Sequence, residues 1–298
     1  MSSRRTFIKQ SGIMSAALFV DKSAFFASQK LYGIQLWSVR EEAMKDLPGT
    51  LAFLAQTGFN NIELFGYNNG NYFGHSPAEV RSFLDANNVQ SKSAHYSLAD
   101  FLSKGDEDDL KKTIETAKII GHEYVTVPFL EGSVRKRLED FKTLSDKLNK
   151  AGEACKNAGL KFAYHNHNFE FQQFGFEQTE QGHTTGYEVM LANTDPSLVA
   201  FEMDIYWVVY AGKDPVKLFK ENPGRFPMWH IKDMWKKPKT ESCEVGKGII
   251  PFKEYFKYKT ETGFKYFFVE QEAFTAAPPM QAAVSNFKYV KENFTNLI

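Results

Sequence analysis

Cysteine is scarce in this 298-residue chain: only Cys155 and Cys243 occur, far apart in sequence. One disulfide is compatible with that pair, but no CxxC motif exists to build a thiolate zinc site or a dithiol redox centre. Net charge is missing as well, because 36 basic residues cancel 36 acidic ones. No overall positive field therefore argues for nucleic acid, and no like-charge block argues for a solvated tail. No apolar run reaches the ~20 residues that a membrane-spanning helix requires. Gly33 stands alone after the first strand-like run, so the GxGxxG signal of a dinucleotide-binding sheet is absent too. Repeats, low-complexity stretches and linkers are lacking, which leaves one domain with a small molecule as its partner. An apolar fraction of 43%, with 28 Phe, 13 Tyr and 4 Trp, is enough to fill a sizeable core and to line a pocket.

The N-terminus has the order of an export signal. Arg4 and Arg5 in SRRTFIK precede a weakly apolar run of about nine residues, Gly12 to Val20, as in a twin-arginine signal. Residues 1–29 are read as that signal and residues 30–298 as the folded domain, with a periplasmic destination and no stable membrane anchoring. The sequence is silent on oligomeric state.

From Leu31 the chain alternates short apolar runs with amphipathic ones. The spacing predicts strands at Tyr32 to Trp37, Asn61 to Phe65, Ser91 to Tyr96, Tyr124 to Pro128, Lys161 to His165, Val199 to Asp204, Pro227 to Ile231 and Tyr266 to Glu270. Between them it predicts helices at Asp46 to Gln56, Pro77 to Ala86, Glu107 to Ile120, Ser133 to Ala158, Tyr187 to Ala192, Pro215 to Glu221, Pro251 to Thr262 and Met280 to Phe294. Gly58, Gly121, Gly159 and Gly263 fall where helices end, and Ser76-Pro77-Ala78-Glu79 reads as an N-cap with proline in the first turn. Eight strand-then-helix units describe a (β/α)8 TIM barrel, in which the C-terminal strand ends must converge on one site.

Those ends are where the chemistry lies. The run Leu160 to Tyr164 leads into His165, Asn166, His167 and Glu170; Val199 to Met203 ends at Asp204; Met228-Trp229 leads to His230, Lys232 and Asp233; Tyr266 to Val269 leads to Glu270 and Glu272. A carboxylate or imidazole closing an apolar run needs a partner when it is buried. His165, Asp204, His230 and Glu270 make a mixed nitrogen and oxygen set for a divalent ion such as Mn, Co, Zn, Mg or Fe(II). Glu270 and Glu272 share a face by period-two alternation, and Glu270, nearer the barrel, is taken as the ligand. His167 and Lys232 are expected to be catalytic, His167 for an imidazole pKa near 6.5 and Lys232 for oxyanion stabilisation. Their structural alternatives are an exposed His167 and a Lys232 ion pair with Asp233 or Glu202. Glu63 and Glu170 are further acid/base candidates, and Trp37, His95 and Glu272 are candidate substrate contacts; Glu63 and His95 are equally readable as paired structural groups.

Together YGIQLWSVR, GFNNIELFGY, SAHYSL, AYHNHNFEF, FEMDIYW, WHIKDM and FVEQE resemble the xylose isomerase-like TIM barrels grouped as sugar phosphate isomerases and epimerases. Inosose dehydratase and the ketose 3-epimerases are relatives, and the likeness spans about residues 31 to 295. It implies a divalent metal held by strands five to eight, commonly through Glu, Asp, His and Glu, which falls on His165, Asp204, His230 and Glu270. His165-Asn166-His167 stands where the family has Glu-Asn-His, and Glu170 is the alternative carboxylate. The resemblance implies isomerase or epimerase chemistry on a sugar or keto-sugar, by proton abstraction beside a carbonyl. Dehydration or hydration on the same site is the alternative. A metal-dependent hydrolase would need more histidines than the seven present and a basic groove, and a non-enzymatic carbohydrate-binding barrel would tolerate loss of the metal.

Overall fold

Strands buried on both faces are built largely of apolar residues, and the eight runs supply them, with buried polar groups such as Glu63, Ser93 and Glu202 set among them. In the computed structural model, which describes residues 29–175, 178–180, 182, 184–236, 238 and 240–298, each run forms a parallel strand. They are β1 (Gly33–Gln35), β2 (Asn61–Glu63), β3 (Ser93–His95), β4 (Tyr124–Val127), β5 (Lys161–His165), β6 (Val199–Asp204), β7 (Met228–Ile231) and β8 (Tyr266–Val269). Their order in the sheet is β2-β1-β8-β7-β6-β5-β4-β3. Between β2 and β3, at the two ends of that order, only the single parallel bridges Asn61↔Gln90 and Leu64↔Ala94 complete the ring. The result is a nearly closed TIM barrel occupying Leu31–Ile298. The export signal lies outside the described residues, apart from Gln29.

The helices follow the expected rhythm: α1 (Leu47–Thr57), α2 (Pro77–Ala86), α3 (Glu107–Ile120), α4 (Leu138–Asn157), α5 (Gly186–Asn193), α6 (Pro215–Glu221), α7 (Phe252–Tyr255, continued by short turns to Thr262) and α8 (Pro279–Phe294). Leu47, Leu51 and Leu54 form the buried stripe of α1. On α4 the stripe runs Leu138, Phe141, Leu144, Leu148, Ala151 and Cys155, the spacing that turns one helix face to the sheet. Ser76 and Glu79 close a capping box at the start of α2. Gly58, Gly121, Gly159 and Gly263 all have positive φ, as their places after helices require. Among the described residues no helix is long and apolar enough to cross a membrane.

Three expectations shift. Trp37 leaves the first strand, because the Gln35 side chain accepts a hydrogen bond from the Trp37 amide (3.1 Å) and winds Leu36–Val39 into a 3-10 turn. Helix α4 begins at Leu138 rather than Ser133, since Asp140 takes the amides of Lys136 and Arg137 (2.7 and 2.9 Å) and fixes its N-terminus there. Cys155 and Cys243 are both buried and free, so the one disulfide their number permitted is not formed.

Candidate metal centre

The strand register decides which side chains meet. His165 on β5 lies opposite Glu202 on β6, and Asp204 lies opposite His230 on β7. Glu202 and Asp204, two apart, point the same way into the barrel and occupy successive layers. The polar groups consequently form two storeys. In the upper one, ligand atoms of Asp204, His230 and Glu270 lie within 4.8 Å of one another. There His230 Nδ1 is 3.1 Å from Glu270 Oε2, and His165 Nε2 is 3.9 Å from Asp204 Oδ2. In the lower one, Glu202 Oε2 lies 2.9 Å from His95 Nε2, 3.1 Å from His165 Nδ1 and 3.2 Å from His230 Nε2. Glu63 Oε2 accepts from Gln35 Nε2 (2.8 Å) and His230 Nε2 (2.6 Å). His165 and His230 thus belong to both storeys, with one ring nitrogen in each.

The upper storey carries its own cation. The Lys232 ammonium, fully buried, lies 2.9 Å from Asp204 Oδ2, 2.9 Å from Glu270 Oε2 and 2.7 Å from Glu272 Oε1. It stands 5.1 and 4.9 Å from the ring centroids of Tyr206 and Trp207. Its partners are therefore these three carboxylates rather than Asp233 or Glu202. Asp204 Oδ2 is held by charge alone and receives no directed hydrogen bond. Burial works against the Lys232 charge, but the carboxylates outweigh it and raise its pKa well above the lysine range. Burial also lifts Asp204, to about 6, with Lys232 opposing. On Glu270 burial is overcome by Lys232 and His230, which hold it well below the usual carboxylate range.

A cavity of about 500 Å³ opens above this centre. His95, His165 and Glu270 reach it from below, and Trp37 and Trp207 stand at its sides. Trp37 and Glu272 both face it, as candidate substrate contacts must, while Gln271 points the other way, to Asn286 Nδ2 at 3.0 Å. Two sequence expectations need correction. Burial, followed by the Lys232 charge, depresses His167 to about 3, so its imidazole is neutral rather than an ordinary one titrating near 6.5. It is not the exposed alternative either: it stacks on Phe169, tilts against Trp207, and leaves Nδ1 buried without a partner. Glu170 turns beneath the loop, taking hydrogen bonds from the Tyr164 hydroxyl (2.6 Å) and the His167 amide (3.0 Å), and joins neither storey. Glu63 is fully buried and paired, whereas His95 is both paired and open to the cavity.

The central residue that sequence reasoning missed as a site group is Glu202. Its signal was there, two positions before Asp204 on the same strand face, but inside an apolar run that gave no hint of three imidazoles. Two sets of side chains could hold a divalent ion, Asp204, His230 and Glu270 in the upper storey and His95, His165, Glu202 and His230 in the lower. The upper one has in Asp204 Oδ2 a buried acceptor with no directed donor, and His165 Nε2 3.9 Å from it.

Comparison with known proteins agrees with this architecture. An inosose dehydratase of Clostridium beijerinckii is 27% identical over 274 residues, covering 80% of this chain and 87% of that protein. The crystal structure of a sugar phosphate isomerase/epimerase from Parabacteroides distasonis superposes with a TM-score of 0.77 at 29% identity, covering 89% of this chain and 94% of that one. The IolI protein, solved with a bound zinc atom, shares the fold with a TM-score of 0.68 at 18% identity, over 90% of this chain and 99% of its own. Residues 51–293 match the family model, and the chain belongs to the xylose isomerase-like TIM barrel family.

Proposed function

We propose that the protein is a divalent-metal-dependent enzyme that removes the proton beside the carbonyl of a keto-sugar or inosose and expels a β-hydroxyl as water. The observation that carries elimination over epimerisation is the β5 corner. An acid/base pair of two metal-bound glutamates needs a carboxylate there, but His165 occupies it with Nδ1 committed to Glu202, and Glu170 is turned away to Tyr164 and His167. Elimination needs only one base and one acid. The inosose dehydratase similarity points the same way.

His165, Asp204, His230 and Glu270 would hold the ion, which when bound supplies Lewis-acid polarisation of the carbonyl. Glu272, facing the cavity with Lys232 at 2.7 Å, takes the α-proton, and the ammonium steadies its carboxylate. His95, on β3 across the barrel from β8, protonates the departing hydroxyl. Burial lowers its pKa, but Glu63 and Glu202 outweigh that and raise it, which suits a proton donor. The aromatic walls give the sugar ring apolar faces to lie against and keep water out. A second reading, isomerisation or epimerisation, is favoured by one observation: His167 lines the cavity with Nδ1 buried and without a partner, placed to meet a second position of the substrate.

Metal-loaded protein incubated with keto-sugars and inososes in deuterated water separates the two. Elimination yields a product lighter by one water, whereas recovery of a deuterated stereoisomer without water loss would establish epimerisation instead. Asp204→Asn and His230→Ala should each abolish stoichiometric metal binding, and metal retained by both would sink the proposed centre.

A further inference from the structure

An imidazole can ligate through either nitrogen, and the hydrogen bond made by the other nitrogen decides which. The two histidines of the candidate centre use opposite atoms: His165 presents Nε2 to the side of Asp204, and His230 presents Nδ1 to the side of Glu270. Two carboxylates set them. Glu202 Oε2 takes the His165 Nδ1–H at 3.1 Å, so that ring spends its N–H on the lower storey and turns its Nε2 lone pair upward. His230 Nε2 gives its N–H to Glu63 at 2.6 Å, with Glu202 farther off at 3.2 Å.

We propose that Glu202 is the positioning residue at the β5 corner of the metal centre: by taking the His165 Nδ1–H it fixes the tautomer that turns Nε2 toward Asp204. It also places a negative charge behind the neutral ligand at the β5 corner. The register makes this specific, since Glu202 is the direct cross-strand neighbour of His165, and its carboxylate is fully buried. His95 Nε2, the third group on the same oxygen at 2.9 Å, ties the cavity wall to the arrangement. A carboxylate behind a ligating imidazole raises the ligand's basicity, and its loss typically weakens metal binding ~10- to 100-fold.

The inference rests on the metal reading, and the test separates the two. The full chain is titrated with zinc, and its histidine tautomers are read by nitrogen-15 NMR in the zinc-loaded state. Failure to take up zinc removes the metal reading, and the Glu202 role with it. With zinc bound, His165 should carry its proton on Nδ1, facing Glu202; a proton on Nε2 instead overturns the Glu202 role alone, and no variant need fold to show it. Glu202→Gln should then weaken zinc binding roughly 10- to 100-fold and change the visible spectrum of the cobalt-substituted protein, with Glu202→Asp recovering part of the affinity. Unchanged affinity and spectrum in Glu202→Gln would refute the proposal.

Discussion

Burial costs a carboxylic acid most in its charged form, and Glu170 shows this outside the metal centre. Despite hydrogen bonds from Tyr164 and the His167 amide, burial lifts its pKa from 4.5 to about 7. An acid raised on folding contributes stability that is complete below its unfolded pKa and is lost as pH climbs through the folded value. The window here runs from about 4.5 to 7, and the shift corresponds to roughly 3 kcal/mol. Glu170→Gln should flatten the fall in stability between pH 5 and pH 8 by about that amount, read from urea midpoints at the two pH values. An unchanged difference between them would show that Glu170 is not buried as described. At this scale the sequence was partly legible. His165, Asp204, His230 and Glu270 stood out because each ends an apolar run, where a polar group must face something polar. Glu202 did not, because its partners come from β3, β5 and β7, with His95 lying 107 positions away. Period-two alternation names a face but not what waits there.

Among the elements, the segment after β7 is organised by one carboxylate. Asp233 Oδ1 accepts from the amides of Met234 (2.8 Å) and Ile250 (3.1 Å), and Oδ2 from those of Gly246 (2.8 Å) and Gly248 (3.0 Å). That grip closes a ribbon in which Asp233–Met234 pairs with Ser242–Cys243, and the Ser242 hydroxyl receives the amides of Glu272 and Ala273, both at 2.9 Å. The proposed base is thereby held from the neighbouring loop. Asp233→Ala orphans four amides and should cost roughly 3 kcal/mol, since the loop rehydrates part of what it loses. Turnover should fall while zinc binding persists. A variant as stable and as active as the parent would show that the loop is held by other means. The ribbon, and the pair Tyr67–Asn68 with Asn71–Tyr72, were invisible in the sequence because two residues show no periodicity. The eight long helical patterns and eight apolar runs were readable for the opposite reason.

Across the whole molecule, the barrel order emerged from the count of units, but the quality of its closure did not. Neighbouring strands such as β5 and β6 share a continuous four-pair register, whereas β2 and β3 meet through two isolated bridges. Backbone bonds such as Ile62 N to Gln90 O (2.8 Å) and His95 N to Leu64 O (2.8 Å) are what span that gap. The ring therefore has a seam, where two isolated bridges stand in place of a continuous ladder, and opening there leaves the neighbouring ladders intact. Amide hydrogen exchange should be fastest, among barrel strands, at Ile62, Leu64 and His95; uniform protection around the ring would show that the seam is as strong as its neighbours. His95 sits on the lip of that seam with its ring reaching across to Glu202. Each transient parting of β2 from β3 swings one wall of the cavity while the wall carried by β8 stays anchored. A ligand that grips His95 would staple the two edges together, so slowed exchange at these amides would report occupancy of the cavity before any product is known.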